Sequence, residues 1–347
     1  MATPIYTTSN GRSFVRTPDH YFDDLPDFPF QPNFIEIDGL QMHYLDEGSP
    51  TSDVVLLLHG QPDWSYLYRK MIPHIVAAGY RVIAPDMIGM GRSDKPTDIH
   101  THTIYRHAAW WTELIEKLAL KNITLFCQDW GGFTGLHVVA HHPDWFSRVL
   151  CSNTSLFLMP EPILNVPQGI DREAYPVDPG ATIRTFADFA ADCQAKGFIK
   201  DDMSEFFYGW MKYALTGPEL KASDNIRMDF GGIALTDDEA RAYDAPFPEE
   251  IFMTGIRTLP SMGALIDQKE SLAAWEALQQ FDKPFLTVFG TLDKLVGSEK
   301  TQRTLIEHIP GAKGQAHDRI LAGHFIQESQ GEEMAKRLIE FIASTSS

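Results

Sequence analysis

Three residues have the types and the chain order that nucleophilic catalysis requires: Asp129, Asp293 and His324. Each follows a stretch with strand character. Ile123-Thr124-Leu125-Phe126-Cys127 runs into Gln128-Asp129-Trp130-Gly131-Gly132, and a helix-like segment carrying Leu136, Val138 and Val139 comes next. Strand, sharp turn and helix form the layout of a nucleophile elbow, normally written G-x-S-x-G. Here the nucleophile position holds Asp129 and the first small position holds Cys127. Phe285-Leu286-Thr287-Val288-Phe289 precedes Asp293, and a short strand-like stretch precedes Ala322-Gly323-His324-Phe325. Nucleophile, acid, histidine is a recurring order at one edge of a sheet.

A carboxylate in place of serine changes the chemistry. Free aspartate titrates near ~3.9, so it needs no base to become nucleophilic at neutral pH. It can displace a leaving group from an sp³ carbon and form an alkyl ester. A neutral histidine then deprotonates the water that attacks the ester carbonyl, and Asp293 would hold the imidazole in the required tautomer. The oxyanion needs two backbone N–H groups. The candidates are Trp130, directly after the nucleophile, and Gln61, in His59-Gly60-Gln61-Pro62. Two substrate classes suit this scheme. A halide leaves from a haloalkane and needs only weak donors, such as indole N–H, in an apolar site. An epoxide oxygen needs a proton, for which Tyr208, Tyr213 or Tyr243 would have to serve. A third reading is a ligand receptor of the same fold, but a pure binder has no use for the base.

Positioning these residues calls for alternating strands and helices. Phe34 to Ile37 and Gln41 to Leu45 flank Asp38-Gly39, a hairpin signal. Val54-Val55-Leu56-Leu57-Leu58 is apolar throughout, as expected of a strand buried on both faces. A helix is expected over 66–78, bent by Pro73, followed by a strand over 81–84, a helix over 103–118, the elbow, and a strand over 148–151. From about Met159 to Phe247 no strand pattern is found. Pro160, Pro162, Pro167, Pro176 and Pro179 mark turns, and helical segments fall at 182–196, 202–215, 217–223 and 236–243. Helices then resume at 271–280, 299–308 and 332–342, interleaved with strands at 285–289 and 316–321. The expected fold is α/β, a mostly parallel doubly wound sheet with an all-helical cap inserted. Its core spans 1–158 and 248–347 and its cap 159–247; residues 1–33 read as a surface tail. The cap would cover the C-terminal strand edge, where such sheets bind ligands.

Composition narrows the partners. The 347 residues include 29 Lys and Arg against 47 Asp and Glu, a net charge of −18, and no basic run is present. Nucleic acid is not an expected partner. Twenty-two Phe and seven Trp are enough to fill a core and line an apolar pocket. Three cysteines, Cys127, Cys151 and Cys193, form no disulfide framework. No apolar run reaches the ~18 residues of a membrane span and no signal peptide is evident, so a cytoplasmic location is expected, with the periplasm as the alternative. A monomer is expected. Gly89 and Gly91 lack the third glycine of a dinucleotide loop, and His100 with His102, or His141 with His142, lack metal-site spacing. Neither cofactor nor metal is expected.

From about Arg16 onward the sequence resembles the haloalkane dehalogenases, α/β hydrolases with an Asp nucleophile. The shared motifs include Arg16-Thr17-Pro18-Asp19, the run from Trp64 through Pro73, Gly91-Arg92-Ser93-Asp94-Lys95-Pro96, Gln128-Asp129-Trp130-Gly131-Gly132-Phe133, Ala245-Pro246-Phe247-Pro248, Asp293-Lys294-Leu295 and Ala322-Gly323-His324-Phe325. The resemblance implies hydrolysis of a small apolar halogenated substrate by water, with halide as product. It implies Asp129, Asp293 and His324 as the catalytic set and indole N–H groups of Trp130 and Trp210 on the halide. Apolar walls would come from Phe133, Phe207, Phe247, Pro248 and Leu295. Gln61 departs from the Glu or Asn found after His-Gly in the family. Asn153 stands where other members carry the acid, which favours Asp293.

Overall fold

Continuous buried runs along the central strands build a sheet covered on both faces. The structure, a computed structural model, describes residues 3–157, 167–198, 203–229 and 231–346. The main sheet has eight strands: β1 (Asn33–Ile37), β2 (Leu40–Glu47), β3 (Val54–Leu58), β4 (Arg81–Pro85), β5 (Ile123–Gln128), β6 (Phe146–Ser152), β7 (Phe285–Gly290) and β8 (Asp318–Ile320). Their spatial order is β8-β7-β6-β5-β3-β4-β2-β1. The six strands from β8 to β4 run parallel, and β2 and β1 add antiparallel. β3 is buried along its whole length. Val55 and Leu57 join one apolar cluster while Leu56 and Leu58 join the other, as the two-residue strand period requires. The β1–β2 turn has positive φ at both Asp38 (50°) and Gly39 (77°), the type I′ geometry that matches strand twist.

Helices cover both faces. On one side α1 (Ile72–Ala77) packs on α11 (Ile326–Thr345). On the other, α2 (Ile104–Lys117), α3 (Asp129–His141) and α9 (Gln268–Leu278) pack side by side. Between β6 and β7 lie α4 (Phe186–Lys196), α5 (Ser204–Thr216), α6 (Ala222–Arg227), α7 (Asp237–Asp244), α8 (Thr254–Thr258) and α9, and α10 (Glu299–His308) follows β7. α4 starts on a capping box between Thr185 and Asp188 and stops at Gly197, φ 68°.

The insert is tied to the core by buried polar groups. The Trp64 indole donates to the Ala242 carbonyl at 3.1 Å. Arg69 spans from Glu239 on α7 (2.8 Å) to Glu328 on α11 (2.6 and 2.7 Å), and Tyr243 also bonds Glu328. Burial by itself would raise the Glu328 carboxyl, but Arg69 and Lys70 outweigh it and hold the group below the usual carboxylate range. Glu328 stands four residues beyond His324, so this ion cluster braces the start of α11 beside the site.

Several expectations need correction. The helix expected over 66–78 is split into a 3₁₀ turn, Ser65–Tyr68, and α1, with Pro73 in the first turn of α1, where its missing N–H is tolerated. The helix expected over 217–223 is displaced to Ala222–Arg227, after Gly217 ends α5 and Pro218-Glu219 turns the chain. The last helix starts at Ile326 rather than 332 and contains a non-helical Gln330. The tail is partly sheet: Tyr6–Thr7, Ser13–Val15 and Lys95–Pro96 pair as three short strands, with Phe14 and Val15 buried. Met159, Pro160, Pro162 and Asp202, and with them the expected start of the cap, lie outside the described residues.

Candidate active site

Asp129 follows directly on β5 and opens α3 with φ at 50°, a left-handed conformation that only a tightly determined turn imposes on a non-glycine residue. Glycines make the turn possible. A Cβ on Gly60 would fall 2.1 Å from Asp129 Oδ1, and one on Gly131 would fall 2.2 Å from the Leu58 carbonyl oxygen. The first-small-residue position tolerates Cys127, whose buried Sγ lies 3.6 Å from that of Cys151; both are free thiols.

The three sequence candidates converge. His324 Nε2 is 3.3 Å from Asp129 Oδ2, and its Nδ1 is 2.8 Å from Asp293 Oδ2. Asp293 is buried and also accepts from the backbone N–H groups of Leu295 (2.8 Å) and Gly297 (3.1 Å), which fix its carboxylate. Asp129 Oδ1 accepts the Gln61 backbone N–H at 2.8 Å. The Trp130 N–H belongs to the first turn of α3, whose amides have no carbonyl partner within the helix. The Gln61 side chain donates to the Ile256 carbonyl at 2.9 Å, so it anchors the turn to α8.

Opposing influences meet at the imidazole. Burial alone would lower the His324 pKa. The charge of Asp293 and the hydrogen bonds to Asp129 and Asp293 outweigh burial and push it well above the usual histidine value. Gln128 Nε2 lies 2.9 Å from His324 Nε2, and a donor there favours the neutral ring with its proton on Nδ1. The two carboxylates prevail over it. Removal of the Asp129 charge would weaken their hold on the proton.

An apolar cavity of about 190 Å³ opens above these groups. Among the described residues its lining includes Gln61, Asp129, Trp130, Phe207, Trp210, Leu295 and His324, which sequence reading had placed there. Phe186, Phe206, Asn225, Met228, Asp229 and Phe325 line it as well. Phe133, Phe247 and Pro248 do not, contrary to expectation. Phe133 stacks behind Trp130 and on Phe157, at 5.2 and 4.2 Å between ring centres, and so backs the wall without forming it. Phe247 faces a separate surface depression with Pro218 and Leu220. The tyrosines also stand elsewhere. Tyr208 and Tyr213 line a second cavity between α4 and α5, and Tyr243 is committed to Glu328.

Sequence reading passed over Asn225 and Asp229 and took Asn153 only as a position without an acid. Asn153 holds the sheet edge together: its amide donates to the Gly323 and His324 carbonyls, both at 2.9 Å, and its oxygen accepts from Gly290 at 2.8 Å. Asn225 is buried on the cavity wall, and neither of its amide atoms has a hydrogen-bond partner among the described residues. Asp229 accepts from the backbone of His324. No local pattern marks Asn225 or Asp229.

An Asp elbow, an acid–histidine pair and this strand order define an α/β hydrolase, and the family model of the α/β hydrolase fold matches residues 53–330. Haloalkane dehalogenases from Psychrobacter cryohalolentis and Mycobacterium marinum are each 39% identical to the chain. The alignments cover 94% of it and 97% and 99% of those proteins. A tetrameric haloalkane dehalogenase from Paraglaciecola agarilytica superposes with a TM-score of 0.72 at 33% identity, over 93% of this chain and 97% of that one. The chain belongs to the haloalkane dehalogenase family.

Proposed function

We propose that the protein hydrolyses haloalkanes to alcohol, halide and a proton through an alkyl ester on Asp129. The observation that carries this reading is the shared cavity: Trp130 and Trp210 line the same apolar space as Asp129 and His324. Asp129 Oδ2, which faces His324, attacks the halogen-bearing carbon; the C–halogen bond breaks and the halide leaves with the bonding pair. Indole N–H groups of the two tryptophans hold the halide. Oδ1 stays against the Gln61 N–H and becomes the ester carbonyl oxygen. Water then attacks the ester carbon while His324 takes its proton, and Asp293 stabilises the imidazolium. The oxyanion rests on the Gln61 and Trp130 N–H groups. Collapse breaks the acyl C–O bond; the alkoxide takes the proton left on the water-derived hydroxyl and departs as alcohol, Asp129 is restored as carboxylate, and His324 returns its proton to solvent.

The cavity is smaller than the ~300–1,000 Å³ of drug-sized ligand sites, which favours short alkyl chains. Epoxide hydrolysis is disfavoured because Tyr208, Tyr213 and Tyr243 are absent from the described cavity lining. A panel of chloro-, bromo- and iodoalkanes set against terminal epoxides tests the reading. Halide release into solution with matching alcohol supports it, whereas diol from epoxides with no halide from any alkane removes it.

Trp210→Phe is expected to weaken bromide binding, measured by fluorescence quenching, roughly 10- to 100-fold. That corresponds to the ~1.5–3 kcal/mol of a hydrogen bond to a charged group. Phe keeps the ring packing against Phe186 (5.5 Å between centres), so fold and cavity should persist. An unchanged quenching curve would take Trp210 off the halide.

A further inference from the structure

We propose that Asp229 is a positioning residue through which the helical insert sets the place of the histidine base. This rests on the reading of His324 as the base in ester hydrolysis. Asp229 follows α6, and its Oδ1 accepts the His324 backbone N–H at 2.7 Å. Its Oδ2 accepts the Phe325 N–H at 3.3 Å. The opposite side of the same residue is held by the core: the His324 carbonyl accepts from Asn153 Nδ2 at 2.9 Å and Gln128 Nε2 at 3.3 Å. His324 is therefore clamped between a core amide pair and a carboxylate delivered from the insert.

The fit around this clamp is close. A Cβ on Gly323 would lie 2.1 Å from Asp229 Oδ2, and one on Gly231 would lie 2.9 Å from the Gly323 nitrogen. Glycine at 323 leaves room for the Asp229 carboxylate, and glycine at 231 lets its backbone approach that of Gly323. Asp229 is 8% exposed, and its own backbone is held by bonds to Ile226 and from Gly232. Burial raises its carboxyl, while the His324 charge and the backbone N–H bonds pull the other way. The charged groups that act on the imidazole are then Asp293, Asp129, Asp229 and, more remotely, Asp63. Asp229 touches no reacting atom in the scheme above. It acts by fixing the backbone that aims Nε2.

Alkylation uses Asp129 and the halide grip, whereas ester hydrolysis uses the aim of His324. Loss of Asp229 should therefore slow the second step selectively. The test is rapid-quench kinetics of Asp229→Asn and Asp229→Ala with 1-bromobutane, following bromide release and alkyl-enzyme by mass spectrometry. The expected result is hydrolysis slowed roughly 10- to 100-fold, the cost of a small misplacement, with the bromide burst slowed at least several-fold less than hydrolysis. Alkyl-enzyme should accumulate, more in Asp229→Ala than in Asp229→Asn, which keeps one acceptor. The acid limb of the hydrolysis pH profile should move down in both variants, since a negative charge beside the imidazolium is lost. Burst and hydrolysis falling together, or hydrolysis unchanged with the acid limb unmoved, would overturn the proposal while leaving the dehalogenase reading intact. Should Asp229→Ala not fold, the near-isosteric Asp229→Asn decides alone. Absence of bromide release from the wild-type enzyme would instead overturn the underlying reading, and this proposal with it.

Discussion

His324→Ala is expected to stop the reaction halfway. One equivalent of halide should be released per enzyme, and the protein mass should rise by one alkyl group less a proton, with the adduct on Asp129. Steady-state turnover should fall by roughly 10²–10⁴-fold or more, the range a positioned general base contributes. The logic is geometric. The imidazole bridges Asp129 and Asp293 at 3.3 and 2.8 Å, but the carboxylate needs no proton removed in order to attack. The base is needed only for water. The pH dependence follows from the same arrangement. Asp293 and Asp129 together raise the His324 pKa in the free enzyme against the lowering effect of burial. Alkylation removes the Asp129 charge, so the base should titrate lower in the alkyl-enzyme than in the free enzyme. Only the neutral ring accepts a proton, so hydrolysis of the ester should rise with pH through that value and fail on the acid side. Single-turnover hydrolysis measured across pH checks the direction; a rate that rises toward acid would contradict it.

Asp129→Ala is expected to abolish both steps. No halide burst and no adduct should form, with turnover down by roughly 10⁴–10⁶-fold, as found when a nucleophile is deleted from a catalytic set. Halide binding should persist, because Trp130 and Trp210 remain in the cavity wall. The variant also removes the carboxylate that accepts the Gln61 N–H, leaving that donor unpartnered in the cavity unless a halide or water takes it. Bromide quenching retained alongside lost turnover would separate the chemistry from the binding. Measurable turnover in Asp129→Ala would mean that water attacks the substrate directly.

Much of this site was legible because its parts sit at strand ends. β5 is buried throughout and mostly apolar, and in the Asp-Trp-Gly-Gly that follows a Cβ on Gly131 would collide with the Leu58 carbonyl and one on Gly132 with Thr154. α10 runs from Glu299 to His308, as its sequence suggests, because Ser298 caps it. Other features carry no local signal. The strands at Tyr6–Thr7 and Ser13–Val15 are too short for a two-residue period to stand out. The last helix, expected over 332–342, begins six residues earlier at Ile326 and passes through one non-helical residue, Gln330, while its apolar face packs on the sheet. Phe133, Phe247 and Phe207 look alike in sequence. Which of them meets the cavity depends on how the insert packs, and only Phe207 does. Asp229 lies in a turn without apolar periodicity, and its meaning comes entirely from His324, 95 residues away.

The most direct test of the account is a single turnover in ¹⁸O-labelled water with enzyme in excess over a 1-bromoalkane. An ester on Asp129 hydrolysed at its carbonyl carbon places the label in the Asp129 carboxylate, and the first alcohol released carries unlabelled oxygen. Labelled alcohol with an unlabelled Asp129 would contradict the account, because water would then have attacked the alkyl carbon itself.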